Sequence, residues 1–327
     1  GHCNPKTQEM TKKTSRTLII AATLIALIGA AAAYYICPLI RYSTHRFAYL
    51  SVLPENACYQ YPIRYSEEGW FMIDCTINGT RQIPLRIDTQ ATSLMREDSI
   101  RAYGGQFWGK MPLKWSNAYQ ESSDIDLYRF ETISFGKVKI KEPLFKNIPK
   151  DETIYDIIGE GVFGSDMLSV GTWKFDTETG IITLFHSDNK TMLEKAASGM
   201  TYIPDGLRYD AIPIYIDGMN EEIRFTLDLG YAGTLEINNA VADRLKELFP
   251  YEEKTRQIND NLTDTLAIFN IPITIAGARV DSCKIVNSRV VDSNYIGAEF
   301  MHRCNFVLSY SIEEHGEPDK DLYLEVR

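Results

Sequence analysis

Two stretches of the chain repeat one pattern: an apolar strand that ends on an aspartate, followed by a short turn. The first is Ile83-Pro84-Leu85-Arg86-Ile87-Asp88-Thr89-Gln90-Ala91-Thr92-Ser93-Leu94. The second is Ile223-Arg224-Phe225-Thr226-Leu227-Asp228-Leu229-Gly230-Tyr231-Ala232-Gly233-Thr234-Leu235. Each follows an apolar strand and a glycine-containing turn, at Asn78-Gly79-Thr80 and Asp217-Gly218-Met219-Asn220. A second pair of landmarks keeps the same order. Ile157-Ile158-Gly159 and Val162-Phe163-Gly164-Ser165-Asp166-Met167-Leu168 follow the first passage, and Tyr295-Ile296-Gly297-Ala298-Glu299-Phe300-Met301 follows the second. Asp88 precedes Gly164 by 76 residues and Asp228 precedes Gly297 by 69. Each landmark leads into a strand pair, Trp173–Asp176 with Ile181–Phe185 and Asn305–Tyr310 with Leu322–Val326. A repeat this long implies a duplicated domain and not a solenoid. A duplicated strand-Asp-turn unit can set two carboxylates face to face, and paired carboxylates are a catalytic device.

The chain has 327 residues, enough for two ordinary domains and an anchor. Its net charge is −10 with the acids spread along the sequence, which argues against nucleic acid as a partner because phosphate binding needs a concentrated basic face. No phosphate loop, Gly-x-Ser-x-Gly elbow or His-Glu-x-x-His motif competes for the chemistry. There is no CxxC, and the five histidines are scattered, so no metal site is expected. Of six cysteines, Cys58 with Cys75 and Cys283 with Cys304 are the economical local pairings; four buried free thiols are the alternative. Asn-x-Ser/Thr sequons occur at Asn78, Asn189 and Asn261.

Residues 17–40 carry no charge and are rich in Leu, Ile and Ala. At helical rise they span about 36 Å, enough for a bilayer core with some tilt. Lys6, Lys12, Lys13 and Arg16 precede this run, and the basic excess favours an N-in orientation with the body outside the cytoplasm, periplasmic or extracellular. A secretory signal cleaved near Ala31-Ala32-Ala33 is the competing reading and would leave the body secreted. The expected organisation is a basic tail over 1–16 with Met10 as a candidate start, a transmembrane signal-anchor over 17–40, and a tether over 41–58.

Beyond the tether, short β-branched and aromatic runs dominate, at Gly69–Ile77, Ile83–Ile87, Phe130–Ile140, Ile181–Phe185 and Tyr202–Ile216. Punctuated by Gly, Asn and Asp, they suit an all-β body. Asn238–Phe249 is the best helical pattern, with Val241, Leu245 and Leu248 on one face. Residues 187–201 are polar and read as a linker with a helical turn over 192–197, between one lobe at 59–186 and another at 202–327.

The two Asp turns, each followed by apolar-apolar-Gly, make the chain resemble the aspartic proteases, most closely retropepsin-like domains of bacterial type. The resemblance covers nearly everything outside the anchor. It implies an all-β, bilobal, pepsin-like fold of two closed lobes related by a pseudo-twofold duplication. It also implies a catalytic dyad of Asp88 and Asp228 that shares a proton and activates a water against a peptide bond, with no cofactor. Thr89, Gln90 and Ala91, and Leu229, Gly230 and Tyr231, would form the turns that support the dyad. Trp108, Trp115 and Tyr119 lie where the family has a flap over the cleft, although aromatic residues there could equally be core.

Three residues depart from the family's Asp-Thr/Ser-Gly turn. Gln90 replaces a glycine that permits close backbone approach, Leu229 replaces a hydroxyl residue, and a bulky ring follows at Tyr231. Since Leu229 cannot donate a hydrogen bond, Thr89 is expected to need another partner. Asp166 and Glu299 are expected to face solvent or a backbone amide, and Gly159, Gly164 and Gly297 to permit close chain crossing. Each aspartate could also be an ordinary turn acceptor. The functions left open are a membrane-anchored aspartic-type endopeptidase acting on polypeptide, and a catalytically inactive relative that binds peptide or a partner protein in the cleft. A surface module whose cleft is filled by its own side chains, Tyr231 among them, is a third.

Overall fold

The strand Phe71–Ile77 sets the building rule of the body: Phe71, Ile73, Cys75 and Ile77 are buried in strict alternation, so one face is core and the other is partly wet. It turns at Asn78 and Gly79, both with positive φ, into the strand Arg81–Ile87. Two positive-φ residues make the mirror-image turn whose twist matches that of the flanking strands. The computed structural model describes residues 5–47, 52–259, 262–312 and 318–327. It is mostly β, with an apolar N-terminal helix and a β-barrel.

A ten-stranded sheet is made by the first half of the chain and a seven-stranded sheet by the second. In the first, Gly161–Phe163 lies parallel to Arg81–Ile87, with Phe163 opposite Ile87, and antiparallel to Leu94–Arg96. In the second, Tyr295–Ile296 lies parallel to Glu222–Leu227, with Ile296 opposite Leu227, and antiparallel to Leu235–Glu236. Each aspartate therefore leaves a strand whose last residue faces the residue just before a landmark glycine. The strand Ile212–Ile216 pairs both with Glu222–Leu227 and with Leu262–Ile275, which closes the second sheet into the barrel.

A third sheet of six strands joins the halves. Its order is Cys58–Pro62, Ile181–Phe185, Thr172–Asp176, Cys304–Ile312, Pro318–Val326 and Thr201–Ile203. The two middle strands come from opposite halves, with Phe175 opposite Phe306. Those rings stack at 4.5 Å, and Phe71 meets both edge-on. Trp173 stacks on Phe135, meets Phe163 edge-on and donates its indole N–H to Leu168 O at 2.6 Å. This core thus packs directly beneath Phe163, the residue before Gly164.

Several expectations change in detail. The helix runs from Pro5 to Phe47, taking in much of the 1–16 tail and the start of the 41–58 tether; residues 48–51 lie outside the described residues. It is apolar enough to cross a membrane over Ala22–His45, and its place near the N-terminus equally fits a signal sequence. The Phe130–Ile140 run is two strands, Thr132–Phe135 and Val138–Lys141, folded at Gly136 where a side chain would strike the Tyr61 ring. The helix Asn239–Leu248 is capped by Asn238, whose Oδ1 accepts from Val241 N at 2.9 Å. Val241 and Leu245 are buried as expected, but Leu248 is exposed because the helix ends there. The linker helix spans Lys190–Ala196.

The cysteine pairings are not made: Cys58, Cys75, Cys283 and Cys304 are all free. Cys58 sits exposed on an edge strand of the third sheet, whereas Cys75 faces the core of the first. The sequon asparagines do structural work. Asn78 Oδ1 accepts from Glu131 and Thr132 and its Nδ2 donates to Tyr103 O, while Asn189 caps the linker helix. Asn261 lies outside the described residues.

Candidate active site

The two Asp turns are held by the same backbone bonds at the same offsets. Asp88 N donates to Phe163 O at 3.1 Å and Ser165 N to Ala91 O at 2.8 Å. In the second half, Asp228 N donates to Ile296 O at 2.9 Å and Ala298 N to Tyr231 O at 2.8 Å. Close approach at the glycines makes these bonds possible. A Cβ on Gly164 would lie 2.6 Å from Ala91 O, and one on Gly297 would lie 2.8 Å from Tyr231 O. Gly159 has another role: its φ is +63° with open space around it, so it serves a turn and not a crossing. Asp166 is buried, and its Oδ1 accepts from both Ser93 N and Ser93 Oγ at 2.8 Å. It thus locks the first turn, whereas Glu299 is exposed.

The turns bring Asp88 and Asp228 together at Gly230. A side chain there would collide with the Asp88 carboxylate, with Asp88 Cγ 2.5 Å away and Asp228 Oδ1 3.0 Å away. Asp88 Oδ1 accepts from Gln90 N and Ala91 N, both at 2.8 Å, and Asp228 Oδ1 accepts from Gly230 N at 2.9 Å. Asp88 is buried and Asp228 is partly accessible. Loss of surrounding water, then the neighbouring Asp88 charge, pushes the Asp228 carboxyl up to about 8, against the backbone N–H of Gly230 and the charge of Arg86.

The departing turn residues are accommodated. Thr89 Oγ1 donates to Leu227 O at 2.8 Å and accepts from Leu229 N at 3.2 Å. Its partners are backbone groups of the other half, so the buried Leu229 side chain strands nothing. Gln90 Nε2 donates to Leu227 O at 2.7 Å and Leu207 O at 3.3 Å, adding a cross-half tie where a glycine has none. Tyr231 packs within its own half. Its ring packs on Gly233 and Gly297, where a Cβ would come within 2.5 Å and 2.6 Å of it, and its phenol hydrogen-bonds Glu236. Glu236 is buried, and burial lifts its carboxyl to about 7.

The hairpin Gln106–Ser116 with Ser122–Arg129 occupies the expected flap segment. Trp115 and Tyr119, near its tip, pack against Leu94, Ile148 and Val162 with Ala91 alongside. Trp108, near its base, takes the Arg41 guanidinium over its ring at 4.1 Å and belongs to the contact with the N-terminal helix. There Leu39 and Tyr42 pack on Met111, Leu127 and Leu144, and His45 Nε2 donates to Glu142 O at 2.6 Å.

Sequence reading passes over two residues. Trp70 donates its indole N–H to Gly230 O at 3.1 Å, and no local pattern marks it. Arg86 is buried with its guanidinium 4.7 Å from the Trp70 ring. A charge between the apolar residues Leu85 and Ile87, two residues before Asp88, is a signal the sequence does carry. No protein-family model matches the chain, and no curated protein is significantly similar to it in sequence.

Proposed function

We propose that the chain is an aspartic-type endopeptidase, held at a membrane by its N-terminal helix, with a body of two pepsin-like lobes related by duplication. The duplication reading rests on the matched offsets of the four backbone bonds around the two aspartates. The catalytic reading rests on one observation: Asp88 and Asp228 converge on Gly230, with the Asp228 carboxyl lifted to about 8. Two carboxylates this close do not both ionise readily, so one proton stays with the pair.

In this reading Asp228 carries the shared proton and Asp88 is the base. A water between them gives a proton to Asp88 as its oxygen attacks the scissile carbonyl carbon, and Asp228 protonates the carbonyl oxygen. The tetrahedral diol then collapses. Asp88 passes its proton to the leaving amine nitrogen, the C–N bond breaks, and Asp228 recovers a proton from a diol hydroxyl. The hairpin over the cleft keeps bulk water from the reacting groups.

The test is cleavage of a denatured protein by wild type, Asp88→Asn and Asp228→Asn. Wild type is expected to be active and each variant to lose at least about a hundredfold in kcat/KM. Because the required proton sits on Asp228, activity should persist below pH 8 and fall as pH rises through it. Equal behaviour of all three proteins across pH and substrates sinks the catalytic reading, leaving a silent peptide-binding groove.

A further inference from the structure

Arg86 is the unusual charge of this cleft. Its residue is only 7 % exposed, and no carboxylate lies within ion-pair distance of it among the described residues. Among the described residues its Nε has no hydrogen-bond partner, and its one side-chain hydrogen bond is a long one, from Nη1 to Ile157 O at 3.4 Å. A buried arginine is ordinarily paired, because five N–H donors stripped of water are costly to leave idle. The charges of Asp88 and then Asp228 are those that most favour the guanidinium from a distance, but neither carboxylate makes an ion pair or hydrogen bond with it among the described residues; Asp88 Oδ1 accepts from two backbone N–H groups and Asp228 Oδ1 from a third.

The surroundings form a built wall. Arg86 is the penultimate residue of the strand Arg81–Ile87, two residues before Asp88. Its guanidinium lies on the Trp70 ring, and that ring is fixed by its bond to Gly230 O. Tyr119 of the hairpin tip is within electrostatic reach of it. The corresponding place in the second half, two residues before Asp228, holds Thr226, whose hydroxyl is already satisfied by Asp210 N at 2.8 Å. One side thus offers a cation with no direct carboxylate partner among the described residues, and its counterpart offers a neutral hydroxyl that already accepts a backbone bond.

We propose that Arg86 is a specificity-determining residue that receives the carboxylate of an acidic substrate side chain next to the scissile bond. This rests on the peptidase reading for its cleavage arm only. A planar guanidinium can take a carboxylate through two parallel N–H bonds, and such a site rejects the isosteric amide, which brings no charge and a misplaced donor.

The experiment scans peptides that carry Glu, Gln or Leu in turn at each position flanking the cleaved bond, at pH 6, where glutamate is ionised. One position is expected to prefer Glu over Gln by about tenfold or more in kcat/KM, with the preference collapsing in Arg86→Leu and partly kept in Arg86→Lys. The same peptides are titrated onto full-length Asp228→Asn protein, where binding alone is read and a lack of catalysis does not interfere. Equal treatment of Glu and Gln at every position in both arms overturns the proposal, and this arm needs no Arg86 variant to fold. A Glu preference that survives Arg86→Leu also overturns it. Selective binding without cleavage by wild type would leave Arg86 its role and remove the peptidase reading instead.

Discussion

Thr89 Oγ1 donates to the carbonyl before Asp228 and accepts from the amide after it, and Gln90 Nε2 reaches that same carbonyl. The first half therefore ties down the second Asp turn through backbone groups, and the second half returns no hydroxyl. That asymmetry is illegible in sequence. Reading Leu229 as the loss of Thr89's partner presumes a side-chain partner, but the chain supplies Leu227 O and Leu229 N. By contrast the meeting of Asp88 and Asp228 at Gly230 is legible, because the strand-Asp-turn pattern around them occurs twice in the sequence. Thr89→Val should strand Leu229 N, while Leu227 O keeps its bond from Gln90 Nε2, and cost about 1–3 kcal/mol, read by chemical denaturation. Gln90→Gly restores the family residue yet removes the tie to Leu227 O and Leu207 O. It should lower both stability and kcat; a rise in kcat would contradict the role given to Gln90 here.

Among the elements, the short strands before the landmark glycines matter most for the site, since each holds an aspartate's amide from behind. Gly164 has an ordinary φ of −87°, so its requirement is steric: an added Cβ meets the backbone of 91–93. Gly164→Ala should therefore destabilise by several kcal/mol, about 2 or more, because backbone cannot move aside as a side-chain tip can. Gly159→Ala is the control, with open space but a positive φ, and should cost only about 1 kcal/mol. Thermal melts of the two variants separate these causes. The strand pattern of the core is legible because burial alternates along Phe71–Ile77. The hairpin of Gln106–Ser116 with Ser122–Arg129 is not. Along Gln106–Ser116 only Met111 is buried, so the strand is held by ladder bonds to its partner and leaves no apolar period to read.

At the scale of the molecule, the six-stranded sheet makes the halves mutually dependent, since its central pairing runs from Thr172–Asp176 to Cys304–Ile312. Trp173 lies under Phe163 and so under the Asp88 turn. Trp173→Ala should remove about 3–5 kcal/mol and shift a single cooperative unfolding transition, followed by urea titration. Two transitions, with only one displaced, would show that the halves unfold separately. The repeated strand-Asp-turn pattern is readable in the sequence, but the sheet that joins the first and second halves of the chain is not, because it joins strands more than a hundred residues apart whose apolar runs look like any others.

That sheet also imposes an order on biosynthesis. Of the strands in this sheet Pro318–Val326 is made after all the others, and it pairs with both Cys304–Ile312 and Thr201–Ile203. Until it arrives, the growing chain carries strands with unpaired edges on either side of the gap it will fill. Such edges are templates for pairing with other chains. An interruption of translation before this strand would thus release a chain that already has both aspartates but has an open sheet beneath them. Prolonged shelter of the nascent chain, and not rapid domain-by-domain release, is the regime in which this architecture is made safely.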